Sequence, residues 1–304
     1  MLARLILASQ LVELAAYLAL GAWLHRRFGM DAIFLAGSAV ALALAARLAI
    51  VLAAFAVSWA NRTPRQSGEC LGLAGSARLV LREWRAMLVL NLVSLPWERL
   101  VMPADEPPAR GDRPAVLLVH GYFVNRGSFR ILRKRLHAAG VGPLFTPNLR
   151  SWLAPIEALE EGIARQVERL AAATGRKVVI VAHSMGGLAT RLMLQRRGDA
   201  YVERVISIAS PHHGTALARL GVGENARQMR PGSAFLAALQ QAEGARGPPV
   251  PFTSIYSTHD NLVAPQATSR LPWARNVALV GRGHIDILAS DELMAVLRKE
   301  LGPG

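Results

Sequence analysis

Cysteine, lysine and acidic side chains are all scarce in this sequence. Its one cysteine, Cys70, permits no intrachain disulfide. Only 18% of the residues are charged, whereas 52% are hydrophobic and the mean hydropathy is +0.27, so a disordered or fibrous chain is excluded. Asp plus Glu number 21 against 35 Lys plus Arg, which gives a formal net charge of +14. This surplus suits either nucleic acid or an anionic membrane surface.

Motifs for binding metals, nucleotides and nucleic acids are also missing. The sequence has no zinc-ligand spacing, no phosphate loop and no dinucleotide fingerprint. The arginines are not interleaved with aromatic residues, as a nucleic-acid site would require. We therefore expect no cofactor and no nucleic-acid partner, and we attribute the positive charge to contact with a membrane.

Two long apolar runs occupy residues 5–24 and 32–60. About 20 helical residues cross a bilayer, so each run is long enough to span it, and the break at 25–31 suits a helical hairpin. The sequence predicts an integral membrane protein with two transmembrane helices within residues 1–60. A cleaved signal peptide followed by a buried helix is the alternative.

Each apolar run contains one charged side chain, Glu13 in the first and Arg47 in the second. Isolated charges at that depth cost free energy. Counted from the loop, their depths differ by only about 6 Å at helical rise, so an ion pair between them is within reach. Snorkelling, or pairing with another protein, is an equal alternative.

Arginines flanking the runs favour a cytoplasmic location for the rest of the chain. Four arginines lie on the side of the membrane where the hairpin begins and ends, namely Arg4, Arg62, Arg65 and Arg78. The loop on the other side has two, Arg26 and Arg27. Residues 76–95 then predict an amphipathic helix, which lies on lipid headgroups or packs on the following domain. Residues 102–114 predict a linker, so 61–112 is a helix-and-linker segment.

Strand-like and helix-like segments alternate from residue 113 onward. This pattern predicts an α/β domain over 113–304, built from βα units around a mostly parallel sheet. The predicted strands are 115–120, 142–146, 177–183, 204–210, 252–257 and 276–280. The predicted helices are 128–139, 156–173, 185–197, 233–242 and 291–301.

The strongest catalytic motif is an apolar strand that runs directly into Ser184 and then into a helix. It has the form of a nucleophile elbow, whose sharp turn requires small residues two positions before and after the serine. Ala182, in place of the usual first glycine, and Gly186 meet this requirement. Free N–H groups at the helix start favour developing negative charge. Ser184 is thus the candidate nucleophile, and the Met185 N–H is a candidate oxyanion donor.

A second oxyanion donor is predicted where an earlier buried strand ends in His120-Gly121. Gly121 lets the backbone turn, so that the amide of Tyr122 can point toward the serine. We assign the oxyanion hole to the backbone N–H groups of Tyr122 and Met185. An ordinary strand-ending turn is the alternative.

These motifs, with Ser-Pro-His-His-Gly-Thr at 210–215, resemble those of the α/β-hydrolase superfamily. Within it, the likeness is to bacterial triacylglycerol lipases and related lipid-ester deacylases. The resemblance covers about 113–304 and does not include the hairpin. It implies a parallel sheet flanked by helices, hydrolysis of carboxylic esters such as lipid acyl esters, and a Ser, acid, His triad in that chain order.

The acid that this resemblance implies is Asp260, which ends a late strand and precedes a turn with Asn and Pro. Four other carboxylates fit less well, because they flank the start of a strand or lie in a loop-rich insertion: Asp199, Glu203, Glu224 and Glu243.

The base implied in the same way is His284, in a glycine-containing loop between the last strand and the closing helix. His212 and His213 are the serious rivals, because their strand should lie beside the nucleophile strand. His183 should point away from the serine, and His259 precedes the acid.

Some related lipases hold a structural calcium through a carboxylate just after the catalytic histidine, and Asp286 matches that position. We find no convincing second ligand. The sequence therefore predicts a membrane-anchored serine hydrolase of lipid acyl esters. Two alternatives use the same triad, an acyltransferase and an inositol-lipid deacylase. A third alternative is a non-catalytic binding module, against which the intact triad argues.

Overall fold

Two long antiparallel helices open the chain in the computed structural model, which describes residues 1–105, 107–108, 110–149 and 152–302. Residues 106 and 109 of the predicted linker therefore lie outside the described residues. Helix α1 spans Leu2–Phe28 and α2 spans Ala32–Ala60. Gly29 ends α1 in the left-handed conformation, and the Asp31 carboxylate accepts the Phe34 N–H at the start of α2. Both helices are long and apolar enough to cross a membrane.

Glu13 and Arg47 form an ion pair between these two helices. Arg47 Nη2 donates to Glu13 Oε2 at 2.6 Å, and Nη1 donates to Oε1 at 2.9 Å. The Tyr17 hydroxyl donates to the same carboxylate at 3.1 Å. Of the arrangements that the sequence left open, the structure has the intrachain pair, in the two-pronged geometry that gives a guanidinium its strongest contact with a carboxylate.

A helical segment then joins the hairpin to the rest of the molecule. Helix α3 spans Leu73–Val89, continues into a π-helical turn at Leu90–Ser94, and is followed by the short α4, Glu98–Val101. This segment contacts α1, because Gln10 Nε2 donates to Asn91 O at 2.6 Å. It also contacts the following domain, where Asn125 Nδ2 donates to Leu95 O at 2.8 Å.

Six parallel strands form one sheet in the order β2-β1-β3-β4-β5-β6. All six predicted strands are present, and so is the predicted α/β fold with its parallel sheet. The strands are β1 Val116–Val119, β2 Leu144–Phe145, β3 Val178–His183, β4 Val202–Ile208, β5 Phe252–Ser257 and β6 Arg275–Leu279. The remaining helices are α5 Arg130–Ala138, α6 Ile156–Thr174, α7 Met185–Arg197, α8 Glu224–Gln228, α9 Ala234–Glu243 and α10 Asp291–Leu301.

Helices cover both faces of the sheet. Successive strand residues point to opposite faces, so neighbouring residues of one strand belong to different cores. Leu117 and Ile180 belong to a core that includes residues of α6 and α7. Leu118 and Val181 belong to a second core, which includes residues of α5 and α10. Packed side chains therefore exclude water from both faces of the sheet. The carboxyl ends of the strands lie along one side of it, which we call the carboxyl edge, and the loops that follow the strands start there.

Replacing Arg47 with Leu should destabilise the hairpin by about 3 kcal/mol, because the Glu13 carboxylate then lies among apolar side chains without its cation. The double variant Glu13→Leu/Arg47→Leu should recover most of this loss. Thermal unfolding of the detergent-solubilised protein measures both effects, with the exposed Arg4→Leu as control. Equal stability of Arg47→Leu and the unmodified protein would contradict a contribution from the pair.

Candidate active site

Ser184 occupies the turn between β3 and α7 in a strained backbone conformation, with φ 57° and ψ −128°. The turn packs closely against β1: a Cβ at Gly186 would lie only 2.6 Å from the carbonyl oxygen of Val119. Among the described non-glycine residues, positive φ angles occur only at Phe123, Ser184 and Ala209. These three follow β1, β3 and β4, so the backbone strain is concentrated at the carboxyl edge of the sheet.

Gly121 places the loop after β1 directly against this turn. A Cβ at Gly121 would lie 2.8 Å from Ser184 Cβ and 3.2 Å from the Met185 nitrogen, so no side chain fits there. The residues predicted to form the oxyanion hole therefore belong to two adjoining backbone segments. The Tyr122 side chain points elsewhere, since its hydroxyl donates to Val222 O at 2.8 Å.

His120 holds the neighbouring loop. It is buried, and its Nε2 accepts the Leu149 N–H at 3.1 Å. Burial lowers the pKa of His120 to about 4, so the ring is neutral and serves as an acceptor.

Asp260 and His284 are hydrogen-bonded to each other, although they lie on different loops. His284 Nδ1 lies 2.9 Å from Asp260 Oδ2 and 3.1 Å from Oδ1, and both side chains are buried. The Asp260 carboxylate also accepts the backbone N–H groups of Leu262 and Val263, at 2.7 and 2.8 Å. Burial alone would lower the pKa of His284, but the charge and hydrogen bond of Asp260, together with Glu83, raise it above its usual value.

The loop carrying His284 lies beside the turn at Ser184. His183, which immediately precedes the serine, has its ring centroid 4.7 Å from that of His284. His183 Nε2 is also 3.1 Å from the His284 carbonyl oxygen. Burial and the neighbouring His284 hold the pKa of His183 well below its usual value, so His183 is a neutral partner that fixes the loop.

The rival histidines are engaged in other contacts. His212 Nε2 lies 2.9 Å from the Ser207 hydroxyl, and His213 Nε2 lies 3.0 Å from the Arg270 carbonyl. The Nδ1 of His259 accepts the Gly281 N–H at 3.2 Å. Among the rival acids, Glu243 is paired with the buried Arg191 through two hydrogen bonds.

Ser58, near the end of the second apolar helix, contacts this site in a way that the sequence analysis did not predict. Its hydroxyl donates to the Asp260 carbonyl oxygen at 2.7 Å. Gln266 Nε2 donates to the same carbonyl and to the Ser58 hydroxyl, both at 2.9 Å. A serine in an apolar run does not identify its hydrogen-bond partner, and residues 32–60 contain a second one, Ser38.

Glu83 is the second residue that the sequence analysis missed. This α3 side chain is fully buried, and its carboxylate accepts the backbone N–H groups of Ile285 and Asp286, directly after His284. Burial raises the pKa of Glu83 to about 7. The available signal was that Glu83 is the single acidic residue in a helix with three arginines, at positions 78, 82 and 85.

The described residues do not suit the calcium site considered for Asp286. That carboxylate lies 3.1 Å from Arg282 Nη1, a cation that occupies one of its oxygens. Nowhere in the described part of the chain do three or more Asp, Glu, His or Cys side chains cluster as metal ligands would.

Curated relatives and solved structures resemble parts of this chain. The lysosomal thioesterase PPT2 of Rattus norvegicus is 30% identical over 137 residues, which are 43% of this chain and 45% of that protein. The Homo sapiens PPT2 is 30% identical over 127 residues, or 40% of this chain and 42% of the relative. The chain thus matches less than half the length of these thioesterases.

Two lipase structures show the same fold. Aspergillus fumigatus lipase B has a TM-score of 0.58 at 22% identity, over 66% of this chain and 56% of that one. The mature Bacillus licheniformis lipase BlEst2 has a TM-score of 0.56 at 18% identity, over 65% of this chain and 96% of that one. The sequence model of the alpha/beta hydrolase family matches residues 116–297, which is more than half of the chain. The match, the parallel sheet and the turn at Ser184 agree, and the chain belongs to the alpha/beta hydrolase family.

Proposed function

We propose that this protein is a membrane-anchored serine hydrolase that cleaves acyl esters of lipids. One observation carries the proposal, namely the buried Asp260–His284 pair, in which His284 belongs to the loop beside the strained turn at Ser184. A nucleophile, a histidine and an acid on three neighbouring loops are the arrangement that acyl transfer requires. The thioesterase relatives and the lipase folds support the same class of reaction.

In the proposed reaction, the His284–Asp260 hydrogen bond keeps the Nδ1 proton in place and leaves Nε2 to accept the Ser184 proton. The Ser184 oxygen attacks the ester carbonyl carbon, and the tetrahedral oxyanion accepts the N–H groups of Tyr122 and Met185. Protonated His284 then gives its proton to the leaving alcohol. Water, deprotonated by His284, attacks the acyl-enzyme and releases the acid and free Ser184.

Membrane anchoring is supported by what surrounds the end of α2. Trp59 is exposed there, and the Arg62 and Arg65 guanidinium carbons lie 3.9 and 5.6 Å from its ring centroid. Tryptophan and arginine are typical of the boundary between lipid and water. The preceding residue, Ser58, is hydrogen-bonded to Asp260, so the proposed active site lies at the level of this boundary.

A lipid substrate is supported by exposed apolar side chains on two segments that meet near the site, which we call the apolar patch. It consists of five side chains that are 37–79% exposed: Leu92, Val93, Trp97, Leu100 and Phe123. Asn91, next to the patch, is bonded to Gln10, about 12 Å along α1 from its first residue. Asn125, two residues after Phe123, is bonded to Leu95. The patch therefore connects the first third of a proposed membrane helix with the loop after β1.

Hydrolysis of an acyl thioester is a second candidate, and the thioesterase relatives favour it. The same three residues would attack a thioester carbonyl, with a thiol instead of an alcohol as leaving group. Acyl transfer to an alcohol remains the third possibility. Assays that pair one acyl chain with an oxygen ester and a thioester, with product analysis in added alcohol, separate the three.

Replacing Ser184 with Ala should abolish hydrolysis of p-nitrophenyl butyrate and labelling by a fluorophosphonate probe, because the hydroxyl is the proposed nucleophile. His284→Ala should lower kcat by a similar factor, about 10⁴-fold or more, since the members of a triad act as a unit. Gel detection of the probe and the steady-state rate measure the two effects.

The control for this experiment is His213→Ala, which should lower kcat much less, because His213 contacts the Arg270 carbonyl instead. Unchanged turnover in Ser184→Ala would refute the nucleophile. A labelled and active His284→Ala protein, together with an inactive His213→Ala protein, would refute the base. An unlabelled, inactive wild-type protein would favour a non-catalytic module.

The pH dependence of kcat/KM should show an acidic limb centred above pH 6.5, the usual value for histidine. His284 must be neutral to take the serine proton, and Asp260 and Glu83 favour its charged form. Activity should therefore be lost as the pH falls through this raised pKa. Rates of a soluble ester between pH 5 and 9 test this, with aliquots returned to pH 8 to exclude inactivation. A limb at or below pH 6.5 would be inconsistent with the arrangement.

The double variant Trp97→Asp/Leu100→Asp should lower hydrolysis of a short diacylglycerol in anionic vesicles about tenfold or more, because two charges would enter the lipid-facing surface. Its rate on p-nitrophenyl butyrate should stay within about twofold of wild type. Tyr201→Asp is the control for adding a carboxylate elsewhere on the surface, since Tyr201 is exposed just before β4, at the amino ends of the strands. Equal losses on both substrates would count against a role in lipid contact.

A further inference from the structure

Glu83 is a buried carboxylate from outside the α/β domain, and the proposed mechanism does not use it. It lies in the middle of α3 and is 0% exposed. Its two oxygens accept the Ile285 N–H, both at 3.1 Å, and Oε2 also accepts the Asp286 N–H at 2.9 Å. Within the described part of the chain no Lys or Arg is paired with it, and a buried carboxylate without such a partner is costly, so its position calls for a functional explanation.

We propose that Glu83 is a positioning residue for His284, and that the segment before the α/β domain thereby supplies part of the active site. This inference rests on the proposed function, in which His284 is the general base. Glu83 does not touch the substrate. It acts by holding the backbone on both sides of the histidine.

The contacts explain how a single carboxylate can fix this loop. Beyond His284, Glu83 binds the first two N–H groups, where a short 3₁₀ helix, Asp286–Ala289, begins. Before His284, Gly283 packs so closely that any side chain there would overlap the Glu83 carboxylate. The His284 N–H donates to Asn261 Oδ1 at 2.9 Å. The histidine backbone is therefore held between Glu83 and the loop of Asp260, which limits the orientations open to the imidazole.

Electrostatics point in the same direction. When ionised, Glu83 adds its negative charge to that of Asp260 in favouring the protonated imidazole that forms during the reaction. The other titratable and charged groups around the pair are His183, which is neutral, and Asp286, which is paired with Arg282 at 3.1 Å. Loss of the Glu83 charge would thus lower the pKa of His284.

The experiment compares wild type with Glu83→Gln, a variant of equal size. Its amide keeps one acceptor oxygen but places an NH₂ group against backbone N–H groups. We expect kcat for p-nitrophenyl butyrate to fall about 10- to 100-fold through misorientation of the base, with KM within about twofold. The acidic limb of kcat/KM should move to lower pH. Glu168→Gln, an exposed residue in α6, removes the same charge and should match wild type.

Titration with the fluorophosphonate probe separates a positioning role from a structural one. A purely structural role would reduce the number of reactive sites per chain without moving the acidic limb of the active remainder. Rates are therefore divided by the number of labelled sites. Wild-type kcat and an unmoved limb in Glu83→Gln would overturn the proposal, and so would a lowered kcat with an unmoved limb.

Glu83→Asp keeps the proposal testable if the glutamine variant does not fold. Its carboxylate is one methylene shorter, so it keeps the charge but loses reach to the two amides. A reduced kcat with the limb near its wild-type position supports the proposal, and a wild-type kcat overturns it. Failure of the proposed function looks different, because the wild-type protein would then react with neither probe nor ester.

Discussion

Ser184 has a backbone conformation, φ 57°, that is costly for a residue with a side chain, so the surrounding structure must hold it there. Most features of the site follow from this constraint. The Ser184 N–H donates to Ile208 O at 2.9 Å, which ties the turn to β4. The side chains of residues 121 and 186 must be absent, because the ends of β1 and β3 approach the turn too closely for a Cβ. The loops carrying Asp260 and His284 then close over the same edge, and two helical layers keep the parallel sheet rigid beneath them.

The parts of the fold that the sequence predicts are those encoded locally. Short strand-like segments that alternate with helix-like ones predicted all six strands, and the small residues around Ser184 identified the turn. The pairing of Asp260 with His284 required the chain order of a known family, because nothing local links two loops 24 residues apart. The roles of Ser58 and Glu83 could not be predicted for the same reason, since each contacts residues about 200 positions later in the chain. A buried acid in an amphipathic helix looks like part of a solvated face until its partner is known.

Glu13 and Glu83 show two solutions to one physical problem, a carboxylate among apolar side chains. Glu13 is met by a cation, Arg47, in a two-pronged pair that cancels its charge within the hairpin. Among the described residues, the hydrogen bonds to the Glu83 carboxylate come from backbone N–H groups, and no Lys or Arg is paired with it. The first arrangement stabilises two helices against each other. The second keeps a negative potential beside His284, and its pKa of about 7 records the cost of doing so.

The hydrogen bond from Ser58 to the Asp260 carbonyl also bears on how the protein is made. Residue 58 leaves the ribosome long before residue 260, so the hairpin is complete while the later strands are still being synthesised. The loop of Asp260 is therefore synthesised after the helix end that it contacts. The Asp260 carbonyl thus completes its hydrogen bonds only in a chain that includes residue 58, and a body released without the N-terminal segment would lose the Ser58 contact.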